Sequence, residues 1–233
     1  MSTAGRLARF ANLPTFTTDL GPLPSVQRAL WLRLGDVPEP FVLYGGTALA
    51  LRLGHRESAD FDFFTDAPFR GGELLDALRW LGRLEIGRQA DNNLSVVEPG
   101  GVQLSFFGNL ELQAVAEPSI APDNGVVVAS VYDLAATNAK AICDRSEWKD
   151  YVDIAELLRA GHRLADIIGY ATTVFDRRFA FPTPEFLRSL VWYEDGTAGD
   201  VPAGVRGELE AAVRGLDLAD IPRVDPFRTT ITP

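Results

Sequence analysis

The stretch GGTALALRLGHRESADFDFF, Gly45 to Phe64, decides how the chain folds. An apolar run, Phe41 to Tyr44, precedes it and reads as a buried strand. Gly45-Gly46 supplies a turn, because two residues without Cβ let the backbone bend sharply and let a ligand approach the main chain. Thr47 to Leu53 then reads as a helix stopped by Gly54. The first N–H groups of such a helix lack intrahelical partners and favour an anion, with the Thr47 hydroxyl beside them. A loop, His55-Arg56-Glu57-Ser58, leads to a second strand, Asp60-Phe61-Asp62-Phe63-Phe64. Strand side chains alternate, so Asp60 and Asp62 share one face while Phe61 and Phe63 turn to the core. Adjacent carboxylates repel unless a cation compensates. Magnesium (or manganese) suits them, because it takes oxygen ligands and keeps waters and phosphates in its shell. Arg56 and Ser58, in the loop, are placed to meet phosphate oxygens. A Gly-Gly turn alone is common, and an isolated Asp-x-Asp is commonly a solvated edge. Their order here points to a phosphate and metal site.

Working outward, residues 1 to 22 are weakly patterned. Pro24 opens a first helix through Val26, Leu30 and Leu34, closed by Gly35. Downstream, Leu74, Leu75, Leu78 and Leu81 give residues 71 to 82 a helical stripe. Short strands are predicted at 84–88, 93–97, 102–107 and 126–129. From Ser130 the pattern is helical almost to the end, with breaks near Ser146, Gly161, Pro182 and in 195–204. This order predicts an α+β fold. A mixed sheet flanked by helices fills residues 1–129, and a helical C-terminal half, 130–233, completes the cleft.

The chain has 233 residues and a formal net charge of −10, with no dense Lys/Arg run. That excludes tight, non-specific attraction to nucleic acid and leaves a transient polynucleotide substrate open. The start lacks a signal-peptide pattern and no apolar run is long enough to span a bilayer, so a cytoplasmic location without membrane attachment is expected. Two histidines and the single Cys143, far apart in sequence, make no zinc site. Trp31, Trp80, Trp148 and Trp192 lie on helical apolar patterns and read as packing.

The Gly45–Phe64 segment resembles the signature of the AbiEii-type nucleotidyltransferases, of the polymerase-beta-like superfamily, whose members include toxins of toxin–antitoxin and phage-defence systems. The resemblance implies a nucleotidyltransferase fold, with Asp60 and Asp62 holding magnesium and a nucleoside triphosphate. Gly45, Gly46, Thr47, Arg56 and Ser58 would hold the phosphates. It further implies transfer of a nucleoside monophosphate to an acceptor hydroxyl on RNA, tRNA or protein, and a cognate antitoxin. Many such enzymes carry a third acid on a later strand. The candidate strand here, Val102 to Phe107, offers only Gln103 and Ser105 on the relevant face.

A second segment, Asp133 to Ile154, also resembles the family, and the likeness extends over about residues 24 to 215, including Phe186 to Asp195. On a helical wheel Tyr151, Ile154, Leu157 and Leu158 form an apolar face. Asp150 falls inside it and Asp153 on its edge, where a buried carboxylate needs a partner. Lys149 and Asp153 also fit an ordinary i,i+4 surface pair. The resemblance assigns Asp150 to the site and Arg145 and Lys149 to the nucleotide. The family's usual lysine falls on Asn138, which points inward with Leu134 and Ile142. Two other readings stay open. One is a weak or inactive nucleotide-binding module on the same fold. The other is an enzyme acting on a small molecule.

Overall fold

The computed structural model describes residues 3–233, which form two compact units. The first unit comprises, of the described residues, 3–111, 117–130 and 230–233. Its seven strands are β1 (Val42–Tyr44), β2 (Asp60–Phe64), β3 (Glu85–Ala90), β4 (Asn93–Val97), β5 (Gln103–Phe107), β6 (Ser119–Ile120) and β7 (Val127–Val128). They form one mixed sheet in the order β3-β4-β5-β2-β1-β7-β6. β2 lies inside it, antiparallel to β1 and parallel to β5. Among the described residues its α-helices are α1 (Thr3–Arg9), α2 (Ser25–Trp31), α3 (Gly45–Leu53) and α4 (Gly71–Ala77).

Aromatic side chains explain why this sheet holds. Phe63 of β2 stacks on Phe106 of β5 at 5.2 Å, and Phe41 meets Phe106 edge-on at 5.1 Å. Trp31 of α2 covers Phe61. Such ring pairs add to the area they bury. β2 is thereby fixed by its inward residues, and its outward face carries Asp60, Asp62 and Phe64.

The second unit comprises residues 112–116 and 131–229. Its helices are α5 (Val131–Arg145), α6 (Trp148–Arg159), α7 (Leu164–Phe175), α8 (Thr183–Ser189) and α9 (Ala203–Arg214). α5 packs against α6, α7 and α8, and α9 packs on α6. The short segment 112–116 is tied to this unit by Gln113, whose side-chain amide donates to the Thr173 carbonyl, and by the Val115 N–H, which donates to Asp133.

The α+β architecture expected from the sequence is present, and Asp60–Phe64 is a strand with the expected ends. Several local readings differ. Residues 1 to 22 contain α1, whose Arg6 is buried and donates to the Gly35 and Val37 carbonyls. α2 stops at Trp31, and a single 3-10 turn, Leu34–Asp36, replaces its expected last turn. Val26 is exposed, and the buried face of α2 carries Gln27, Leu30 and Trp31 instead. Trp148 and Trp192 are exposed rather than packed. β6 pairs only Ser119 and Ile120 with β7, too short to leave a periodicity.

Candidate active site

Along β2, Phe61 and Phe63 are buried while Asp60, Asp62 and Phe64 are half-buried on the opposite face. The parallel neighbour β5 sets Gln103 beside Asp60 and Ser105 beside Asp62. On the other side, Tyr44 of β1 is opposite Asp62. The next residue is Gly45, so the sheet register itself returns Asp62 to the glycines.

The two glycines open α3 from within its first turn, not as a bend preceding it. Gly45 has φ +73°, a conformation that side chains rarely adopt. A methyl group on Gly45 would meet the Asp62 carboxylate. One on Gly46 would meet the end of the Arg56 guanidinium. A carboxylate and a guanidinium therefore lie against the bare Cα atoms of neighbouring residues at one helix start. Tyr44 gives α3 no side-chain cap, and the first N–H groups of a helix are donors that favour an anion. Gly54, at φ +67°, ends the helix in the left-handed conformation the sequence implied.

Thr47 and Ser58 are buried, 1% and 7% exposed. Their hydroxyl oxygens lie 2.7 Å apart, and Thr47 also bonds the Asp60 carbonyl. Arg56 donates to the Glu57 carbonyl at 2.9 Å. Sequence reasoning passed over Gln27, whose amide nitrogen is 3.2 Å from the same Asp60 carbonyl. The signal was available: Gln27 occupies the i, i+3, i+4 stripe with Leu30 and Trp31, a polar residue on an apolar face.

The donor set fits a magnesium-like ion. Asp60 and Asp62 offer hard oxygens from one strand face, with the Ser105 hydroxyl and Gln103 amide on the adjacent strand. Among the described residues no group of three or more His, Cys, Asp or Glu could hold a metal. Two carboxylates are enough for an ion that completes its shell with water and phosphate.

In the second unit, Asp150 is 1% exposed and receives both Arg145 Nε (2.9 Å) and Nη2 (2.7 Å). Burial pushes the Asp150 carboxyl above its usual range, and the Arg145 bonds oppose that push. Lys149 pairs with Glu147 at 3.0 Å. Asp153 is fully buried, so it is no member of an ordinary surface pair. Asn138 is buried as expected, and its amide donates to the Leu134 carbonyl one turn earlier. Lys140 bonds Asp144 and lies over the Phe179 ring.

Fold and site together define a class: an α+β protein that sets a carboxylate pair beside a glycine-opened helix able to take an anion. Residues 30–219 match the family described as nucleotidyl transferase AbiEii toxin, type IV toxin–antitoxin system. The match covers most of the chain, and the chain belongs to that family. An uncharacterized protein of Aquifex aeolicus is 33% identical over 158 residues, covering 66% of this chain and 74% of that one. The nucleotidyltransferase toxin MenT4 of Mycobacterium tuberculosis superposes with a TM-score of 0.49 at 15% identity, over 94% of this chain and 92% of the other.

Proposed function

We propose that this protein transfers a nucleoside monophosphate from a nucleoside triphosphate to an acceptor hydroxyl, as the toxin of a toxin–antitoxin pair. The observation that carries the reading is the lodging of Asp62 and Arg56 against Gly45 and Gly46 at the start of α3. Asp60 and Asp62 would hold a divalent magnesium ion. When bound, that ion neutralises triphosphate charge and favours both the attacking hydroxyl and the leaving pyrophosphate.

The chain's own groups do the rest. Phosphate oxygens would meet the first N–H groups of α3 beside Gly45 and Gly46, where Asp62 and Arg56 also lie. Arg56 supplies a cation at the same place. The acceptor oxygen attacks the alpha-phosphorus, and the bond to pyrophosphate breaks. β5 carries no acid at Gln103 or Ser105, so the acceptor's proton goes to a β2 carboxylate or to water. In the helical unit, Arg145 is held by Asp150 and Lys149 by Glu147. An RNA, tRNA or protein acceptor and a cognate antitoxin follow from family membership as parts of this proposal. No helix among the described residues is long and apolar enough to cross a membrane.

One observation favours a second reading, a nucleotide-binding module with little transfer. By the family resemblance Asn138 takes the place of a lysine, and its amide is spent on its own helix. Incubation with each labelled triphosphate, magnesium and cell RNA separates the two. Label should enter RNA or protein with the wild type and vanish with Asp60→Ala and Asp62→Ala. Nucleotide binding without transfer supports the module, and full activity in both variants ends the proposal.

A further inference from the structure

Gln27 sits on the buried face of α2, 1% exposed. Its amide nitrogen is 3.2 Å from the Asp60 carbonyl and 3.5 Å from Thr47 Oγ1. Thr47 also reaches that carbonyl, and Ser58 lies 2.7 Å from Thr47. Proton counting gives one consistent arrangement. Thr47 donates its single proton to the Asp60 carbonyl and accepts from Ser58 and Gln27. The other Gln27 amide proton goes to the same carbonyl. Donors from two helices, α2 and α3, thus converge on the main chain of the first carboxylate residue.

The oxygen of the same glutamine behaves differently. Among the described residues, Gln27 Oε1 is buried with no hydrogen-bond partner. An unsatisfied buried acceptor costs stability, so an apolar side chain of similar shape would serve the fold at least as well. What the glutamine supplies is its two donors: one goes to the Asp60 carbonyl and the other to Thr47, which itself bonds that carbonyl. Gln27 also precedes the matched family segment, 30–219.

We infer that Gln27 is a positioning residue: through the Asp60 carbonyl it fixes where β2 begins, and so the aim of Asp60 and Asp62 at their cation. The inference deepens the nucleotidyl-transfer reading and rests on it for its kinetic consequence. Gln27→Leu removes both donors and the orphaned oxygen together, and Gln27→Met replaces it should the branched side chain not fit. Three quantities are measured on the full chain: melting temperature, Mn²⁺ affinity by electron paramagnetic resonance, and label transfer. The melting temperature should hold or rise. Mn²⁺ affinity and kcat should each fall about 10-fold or more, the effect of losing an outer support of a metal ligand. KM for the triphosphate should stay within about twofold, because phosphate-binding groups are untouched. Wild-type Mn²⁺ affinity and kcat in the variants would overturn the role, as would losses that merely follow a fall in melting temperature. A wild type that binds Mn²⁺, with loss in Gln27→Leu and Asp62→Ala, yet transfers no label, removes the transfer reading and leaves the positioning role standing. A wild type that binds no Mn²⁺ removes both.

Discussion

Gly45 and Gly46 are adjacent, yet the structure assigns them different tolerances. At Gly45 a Cβ would carry the strain of positive φ and press on Asp62, a short side chain with little room to withdraw. At Gly46 it would meet only the far end of Arg56, which can swing away. Gly45→Ala should therefore lower stability by about 1–2 kcal/mol from the backbone alone and abolish transfer by displacing Asp62. Gly46→Ala should melt close to the wild type and raise KM for the triphosphate, because it dislodges a phosphate-facing cation and not a metal ligand. Thermal melts with steady-state kinetics of both variants check the contrast, and equal kinetic defects would refute it. The acid pair and the glycines were readable from sequence because strand alternation and the lack of Cβ act locally. Gln27 was legible only as a polar residue on an apolar stripe; its role was not, since that lies in a contact with Asp60, a residue 33 positions away. Reading α2 through Val26 hid it further.

At the scale of elements, the junction of α5 and α6 turns on one ion pair. Arg145 closes α5 and holds Asp150 in the first turn of α6. Removing the arginine leaves a buried carboxylate without its bidentate partner, a change that costs about 3–5 kcal/mol when fully buried. The Arg145 side chain is 45% exposed, so water reaches part of the pair and Arg145→Met should fall at or below the low end of that range. Asp150 also predicts a pH dependence. Its folded-state pKa is raised above the ordinary carboxyl value of 3.8, chiefly by burial. Its contribution to stability is then complete below 3.8 and is lost as pH rises through the raised value. Urea melts across that window should show Asp150→Asn gaining on the wild type as pH increases, and a constant difference would contradict the assignment. His162, at the α6–α7 turn beside the Tyr132 ring, has the opposite sign. Burial lowers its pKa from 6.5, so its contribution is present above 6.5 and is lost as pH falls through the lowered value. His162→Gln should remove that acid-side loss in the same melts. The wheel of α6 foretold a buried Asp150 because periodicity reports faces. It could not foretell the Arg145 bond, because that depends on how the intervening turn, with Ser146 at φ 48°, directs the two helices.

For the whole molecule, sequence order gave the mixed sheet and the run of helices, since each long element carries its own period. What it could not give were memberships that depend on return paths. Residues 112–116 belong with the helices, and residues 230–233 belong with the sheet unit, where the Ile231 N–H donates to Asp66. Neither segment has a periodicity of its own. Net charge is a property of the same scale, and it constrains the acceptor. With 32 acidic against 22 basic residues the chain repels a polyanion at long range. A protein that binds RNA by neutralising phosphates loses affinity steeply as salt rises, because counterions are released on binding. Here the long-range term is repulsive and salt screens it, within a Debye length of about 8 Å at physiological ionic strength. Transfer to RNA should therefore show a shallow or even positive dependence of kcat/KM on salt between low and physiological ionic strength. Transfer to a neutral small acceptor should show almost none. Rates measured over that range, at constant free magnesium, decide the matter. A steep fall with salt would mean that the few cations form a local phosphate track strong enough to override the overall charge, and the acceptor would then be held by its backbone before its hydroxyl is used.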